Sequence, residues 1–163
     1  MPDSETLALI HELAQALKER GLVCATAESC TGGLIGAALT SVSGSSEWYV
    51  GGVISYANSV KIGLLGVPEE DITAFGAVSE PVVRAMALGA CRATGADAAC
   101  SVSGVAGPGG GTPEKPVGTV WIGWCLHGQT RARRFQFSGD RASIREQAAQ
   151  EALRGLLEWV EEK

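Results

Sequence analysis

A chain of 163 residues suits one domain and can bury a real core. Its formal charge of −5 argues against bulk binding to nucleic acid or anionic lipid, and no apolar run approaches the ~20 residues of a membrane span. Five cysteines without a C-x-x-C pair, and only two histidines, His11 and His127, argue against a disulfide framework and against a zinc site. The acidic start Met1-Pro2-Asp3-Ser4-Glu5 lacks a basic n-region, so no signal peptide is expected and the cytoplasm is the expected location.

Leu7, Ile10, Leu13, Ala14 and Leu17 recur at helical spacing, which predicts a helix from Glu5 to Arg20, capped by Asp3 or Ser4 and closed by Gly21. The apolar run Leu22 to Ala27 predicts a strand. A sharp turn follows at Glu28 to Gly33, then a helix from about Thr31 to Thr40. Trp48 to Tyr56 reads as a second strand, with a bulge at Gly51-Gly52. Asn58 or Ser59 caps a short helix carrying Lys61, Leu64 and Leu65, and Pro68 opens another short helical piece ending near Gly76. Ser79-Glu80-Pro81 opens a longer helix, with Val83, Met86, Ala87, Ala90 and Cys91 on one face and Gly95 at its close. Ala98 to Ser103 is apolar and small throughout, the pattern of a strand covered on both faces. The Gly/Pro-rich stretch 104–116 is long for a compact domain and is either the wall or lid of a site or an inert loop. Thr119 to Leu126 and Thr130 to Phe137 alternate around His127-Gly128, hence a hairpin. A last helix runs from about Arg141 to Glu161, with Ile144, Ala148, Ala152, Leu156 and Val160 inward. The expected architecture is a single domain over 1–163, a three-layer α/β/α fold with a mixed, mostly parallel sheet and a late antiparallel hairpin.

The chemistry converges on the first turn. A serine at the end of a strand, followed by free backbone N–H groups, can be a nucleophile beside its own oxyanion hole. Ala27 and Thr31 stand where a Gly-x-Ser-x-Gly elbow has glycine, so the alternative stays open that Ser29 or Thr31 only caps the helix. Neither histidine is well placed to serve Ser29. Lys61 follows the second strand as Ser29 follows the first, and neighbouring strand ends bring such residues together; the competing reading is a solvated surface lysine. Tyr56, just before it, could relay a proton or simply be a half-buried strand tyrosine. Cys30 is a second candidate nucleophile, its pKa expected to fall at a helix start. Arg141, at the opening of the last helix, could hold a phosphate or pair with Asp140 or Glu146. Arg131, Arg133 and Arg134 on the hairpin could touch nucleic acid, but a charged edge that discourages strand pairing is the more ordinary role.

Six segments together carry a resemblance: Ala27-Glu28-Ser29-Cys30-Thr31-Gly32-Gly33, Tyr56-x-Asn58-x-x-Lys61, Gly76-Ala77-Val78-Ser79, Ser103-Gly104-Val105-Ala106-Gly107-Pro108, Lys115-Pro116-Val117-Gly118-Thr119-Val120 and Phe137-Ser138-Gly139-Asp140-Arg141. In this order, over nearly the whole chain, they resemble the CinA C-terminal domain family, the nicotinamide-nucleotide amidohydrolases. The resemblance implies the stand-alone form of that domain, hydrolysing the carboxamide of nicotinamide mononucleotide to nicotinate mononucleotide and ammonia in pyridine-nucleotide salvage. It implies a Ser–Lys mechanism with no metal and no cofactor. Carried over by position, Ser29 is the nucleophile, Lys61 the base and then the acid, and Tyr56 an assisting hydroxyl. Cys30, Thr31, Gly32, Gly33, Ser103, Gly104 and Arg141 are the implied substrate-binding residues, with Arg141 on the phosphate. A homo-oligomer is expected, with no membrane and no nucleic acid as partner. The rival reading is a non-catalytic nucleotide-binding or competence-related module.

Overall fold

The computed structural model describes residues 2–162. Its elements are α1 (Ser4–Arg20), β1 (Cys24–Glu28), α2 (Leu34–Thr40), β2 (Tyr49–Ile54), α3 (Asn58–Leu65), α4 (Glu69–Phe75), α5 (Glu80–Thr94), β3 (Ala98–Gly104), β4 (Thr119–Leu126), β5 (Gln129–Gln136) and α6 (Arg141–Glu161), with a 3-10 turn at Ser45–Glu47. The strands form one sheet in the order β2-β1-β3-β4-β5. β1 pairs in parallel with β2 and β3, while β4 runs antiparallel to both β3 and β5. β2, β1, β3 and β5 therefore point the same way, and their carboxyl ends share one edge of the molecule. That edge is where α/β sheets bind ligands, because the chain leaves each strand there in a loop.

Helices α1, α2 and α6 cover one face; α3, α4 and α5 cover the other. β1 is buried at all five positions because its side chains alternate between these two layers: Cys24 enters the first, Ala25 and Ala27 the second. α1 seats Ile10, Leu13 and Leu17, all fully buried, at roughly 1.5–3 kcal/mol for each large apolar side chain removed from water. The helices sit close because glycines allow it. A Cβ on Gly89 of α5 would strike the Leu65 carbonyl at the end of α3, and one on Gly155 of α6 would strike the Trp124 ring of β4.

Three local expectations are corrected. The second helix starts at Leu34, not Thr31, because Gly32 (φ 58°) and Gly33 (φ 105°) hold left-handed conformations that a right-handed helix does not admit. α3 is capped by Ala57 with no side-chain bond, so neither Asn58 nor Ser59 serves as its cap. Neither Ser29 nor Thr31 caps α2 either; that task falls to Glu28, described below. The bulge expected in β2 is present just before the glycine pair: Cys24 faces Tyr49, but Ala25 already faces Gly51. Gly52 is explained by packing, since a Cβ there would strike the Thr26 hydroxyl. The hairpin turns at His127 (φ 50°) and Gly128 (φ 82°), the doubly left-handed turn that matches strand twist.

Candidate functional site

Ser29 is the first residue beyond β1, and Ser55 and Tyr56 follow β2, the next strand over. The chain then turns into α3, whose fourth residue, Lys61, reaches back under the sheet edge. Its Nζ lies 2.9 Å from Ser29 Oγ. It also donates to the Ser55 carbonyl at 2.7 Å and the Tyr56 carbonyl at 3.1 Å. Lys61 is only 1 % exposed, and no carboxylate pairs with it among the described residues. Burial disfavours its charged form and pulls its pKa below the ordinary 10.5; the Cys30 thiol opposes this weakly.

The three contacts decide what the amine can do. Two N–H bonds are taken by the two carbonyls, which fix the orientation of the group. The third direction faces the Ser29 hydroxyl. In the neutral amine that direction is the lone pair, positioned to accept the serine proton. In the ammonium form it is an N–H, and it blocks the same transfer.

Behind Ser29 the turn is held by two charged groups that the sequence reading did not single out. Glu28, 2 % exposed, accepts from the Gly33 N–H at 3.2 Å and the Ile35 N–H at 2.9 Å through one carboxylate oxygen. Its other oxygen accepts from the Gly36 N–H at 2.9 Å. It thus satisfies the start of α2 in place of a serine or threonine cap. Arg145 of α6 donates through Nε to the Cys30 carbonyl at 2.9 Å and through Nη2 to the Thr31 carbonyl at 3.0 Å. Ser29 N–H is itself bound to the Val102 carbonyl. Among the described residues the amides of Cys30 and Thr31 donate to no backbone or side-chain oxygen. Glu28 had a local signal, an acid one residue before the serine with a poorly capped helix behind it. Arg145 lies 115 residues from Cys30, and nothing in local sequence links them.

A pocket of about 300 Å³ opens at this edge. Ser29, Cys30, Tyr56, Lys61, Ser103, Gly104 and Arg141 all line it, which unites most of the residues singled out from sequence. Asn58, Ala77, Val78 and Ala106 complete the wall; all four lie in the matched segments but had no role assigned. Thr31, Gly32 and Gly33 do not line it. Thr31 is fully buried with its hydroxyl unpartnered, Gly32 sits under the Arg145 guanidinium, and Gly33 faces Ile54. The Tyr56 side chain is 64 % exposed, and it is the Tyr56 carbonyl that meets Lys61.

The Cys30 expectation is also corrected. Burial pushes its thiol up to about 11, so no thiolate is available there near neutral pH. Arg141 makes no ion pair with Asp140 or Glu146; its Nη1 donates to the Gly107 carbonyl at 2.8 Å and ties α6 to the long loop. Asp140 instead caps α6 through the Ser143 N–H. The loop 104–116 supplies Gly104 and Ala106 to the pocket, so part of it is a wall. Of the hairpin arginines, Arg131 pairs with Glu162, Arg133 lies near Glu151, and Arg134 donates to the Glu114 carbonyl. Among the described residues no cluster of His, Cys, Asp and Glu could hold a metal ion, and no helix is long and apolar enough to cross a membrane.

Fold and pocket together define a three-layer α/β/α domain with a pocket at the carboxyl ends of adjacent parallel strands. Residues 6–160 match the CinA C-terminal domain model, and the chain belongs to that family. It is 50 % identical over 157 residues to the nicotinamide-nucleotide amidohydrolase PncC of Escherichia coli, covering 96 % of this chain and 95 % of that protein. It is 53 % identical over 143 residues to a CinA-like protein of Akkermansia muciniphila, covering 87 % of this chain and 34 % of that longer one. Among solved structures, the competence/damage inducible protein CihA of Agrobacterium tumefaciens superposes with a TM-score of 0.93 at 38 % identity, over 97 % of each chain.

Proposed function

We propose that this chain hydrolyses the carboxamide of nicotinamide mononucleotide to nicotinate mononucleotide and ammonia, in pyridine-nucleotide salvage, with Ser29 as nucleophile and Lys61 as its base. Relatives that carry the name nicotinamide-nucleotide amidohydrolase, at about half identity across nearly their whole length, support the reaction. The observation that carries the mechanism is the 2.9 Å contact between a buried, unpaired amine and the serine hydroxyl.

Ser29 Oγ attacks the amide carbon as its proton passes to the Lys61 amine. The oxyanion of the tetrahedral intermediate is received by the amide of Cys30, which lines the pocket and which no protein oxygen occupies. The Lys61 ammonium then protonates the departing nitrogen, ammonia leaves, and an acyl ester remains on Ser29. Water, deprotonated by the same amine, attacks that ester and releases the carboxylate. Ser103, Gly104 and Tyr56 border the base-binding space, and Arg141 takes the phosphate. The protein works in the cytoplasm, as a homo-oligomer, without a metal.

Ammonia release from nicotinamide mononucleotide by the purified chain tests this. Wild type is expected to release it, and Ser29→Ala and Lys61→Ala to lose at least about 1,000-fold in kcat. No release by wild type would favour the non-catalytic module, and equal release by all three would remove the dyad.

A further inference from the structure

A primary carboxamide carries two N–H donors, and a site that holds it in place needs oxygen to receive them. Near Ser29 the backbone oxygens are largely engaged. The carbonyls of Ser55 and Tyr56 take Lys61, the Val102 carbonyl takes the Ser29 N–H, and the Gly107 carbonyl takes Arg141. No Asp or Glu is among the residues that line the pocket. Ser29, Tyr56 and Ser103 offer hydroxyls, which donate as readily as they accept, and Ser29 is taken up by the attack in the proposed reaction. Asn58 brings the one side-chain carbonyl to this wall. It is the first residue of α3 and Lys61 is the fourth, so the two stand one turn apart on the same side of the helix. The fold makes no use of its side chain. α3 is capped at Ala57 without a side-chain bond, and the Asn58 amide bonds to no other described residue, unlike the neighbouring Lys61 amine with its three partners.

We propose that Asn58 selects for a primary amide: its Oδ1 receives a substrate N–H and holds the leaving nitrogen for protonation by Lys61. This rests on the amide hydrolysis proposed above and adds the residue that distinguishes an amide from other acyl compounds. In the tetrahedral intermediate the nitrogen is pyramidal, with two N–H bonds and one lone pair. An N–H held by Asn58 fixes rotation about the C–N bond, so that the lone pair faces the Lys61 ammonium. The ammonium proton passes to that lone pair, and the C–N bond breaks with its electrons going to nitrogen. Ammonia leaves, and Lys61 is again the neutral amine. An ester has no N–H for Asn58 to receive. Its alkoxy oxygen carries two lone pairs, so its departure does not need this orientation. Asn58 therefore acts on amides and is idle on esters of the same acid.

The test compares two substrates, nicotinamide mononucleotide and the methyl ester of nicotinate mononucleotide, on wild type, Asn58→Ala and Asn58→Leu. Both variants are expected to lose about 10-fold or more in kcat/KM on the amide and less than about 2-fold on the ester. Leucine keeps the bulk of the side chain without its polar atoms, so the split is read even where alanine unsettles the start of α3. Circular dichroism and melting of both variants are expected to match wild type, because the Asn58 amide has no partner in the fold. Equal losses on amide and ester would assign Asn58 to the shape of the pocket and overturn the proposal. So would unchanged turnover of the amide, or failure of both variants to fold. A wild type that releases no ammonia from the amide is a different result: it would overturn the amidohydrolase reading itself, and the role of Asn58 with it.

Discussion

Lys61 is a costly residue to bury, and in the proposed reaction that cost is tied to its use. Because the folded chain holds its pKa below 10.5, the unfolded chain binds a proton more readily between the folded value and 10.5. Stability therefore rises with pH across that window, and the penalty is complete below the folded value, where both states carry the proton. Lys61→Met is expected to be inactive yet to melt above wild type near neutral pH, with the gap closing as pH approaches 10 in melts run across pH. The same titration gives kcat/KM a rising limb, governed by an amine that titrates below an ordinary lysine. Arg145 makes a second residue-scale prediction. Its guanidinium holds the carbonyls of Cys30 and Thr31 and so fixes the turn whose Cys30 N–H is assigned to the oxyanion. Arg145→Ala is expected to lower kcat about 10- to 100-fold with KM little changed, and added guanidinium to restore part of the loss. A rise in KM alone, or no rescue, would show only a general loosening of α6. Ser29 and Lys61 were legible in sequence because each follows a strand, and strand ends are adjacent by rule. Glu28 and Arg145 were not read as site residues, because what they bind is backbone, and backbone carries no signature in the letters.

Elements deliver these side chains only if they pack at the right depth. α3 carries Lys61, and α5 presses on its end where Gly89 meets the Leu65 carbonyl. Gly89→Ala has no room there and is expected to cost about 1–3 kcal/mol in denaturant melts, with activity falling alongside because α3 moves. Gly63→Ala lies on the open side of the same helix, where a Cβ meets nothing, and is expected to stabilise by up to about 1 kcal/mol with activity kept. Opposite signs for two identical substitutions check that packing, not helix propensity, sets the position of Lys61. Element type was readable throughout, since the apolar period distinguishes α5 and α6 from β1 and β3. Boundaries were less so: the start of α2 depends on two left-handed glycines, and the letters Gly32-Gly33 alone do not say whether a helix includes them.

At the scale of the molecule, β5 runs parallel to β1 although it belongs to an antiparallel hairpin, and so the start of α6 arrives at the same edge as Ser29. That topology, which chain order alone leaves open among several, is what lets Arg141 reach a pocket whose other lining residues run from Ser29 to Ala106. If Arg141 holds the phosphate, nicotinamide riboside is a poorer substrate than its 5′-phosphate by about 10- to 100-fold in kcat/KM, and Arg141→Ala removes most of that difference. Equal turnover of the two by wild type would take Arg141 out of this role. The central claim, that Ser29 carries the acyl group between ammonia release and hydrolysis, is tested most directly by adding hydroxylamine to the wild-type reaction. The account predicts a hydroxamate of the nucleotide formed at the expense of nicotinate mononucleotide, with ammonia release accelerated where deacylation limits turnover and unchanged where acylation does. Nicotinate mononucleotide as the sole product at every hydroxylamine concentration would mean that water attacks the amide directly, and would contradict it.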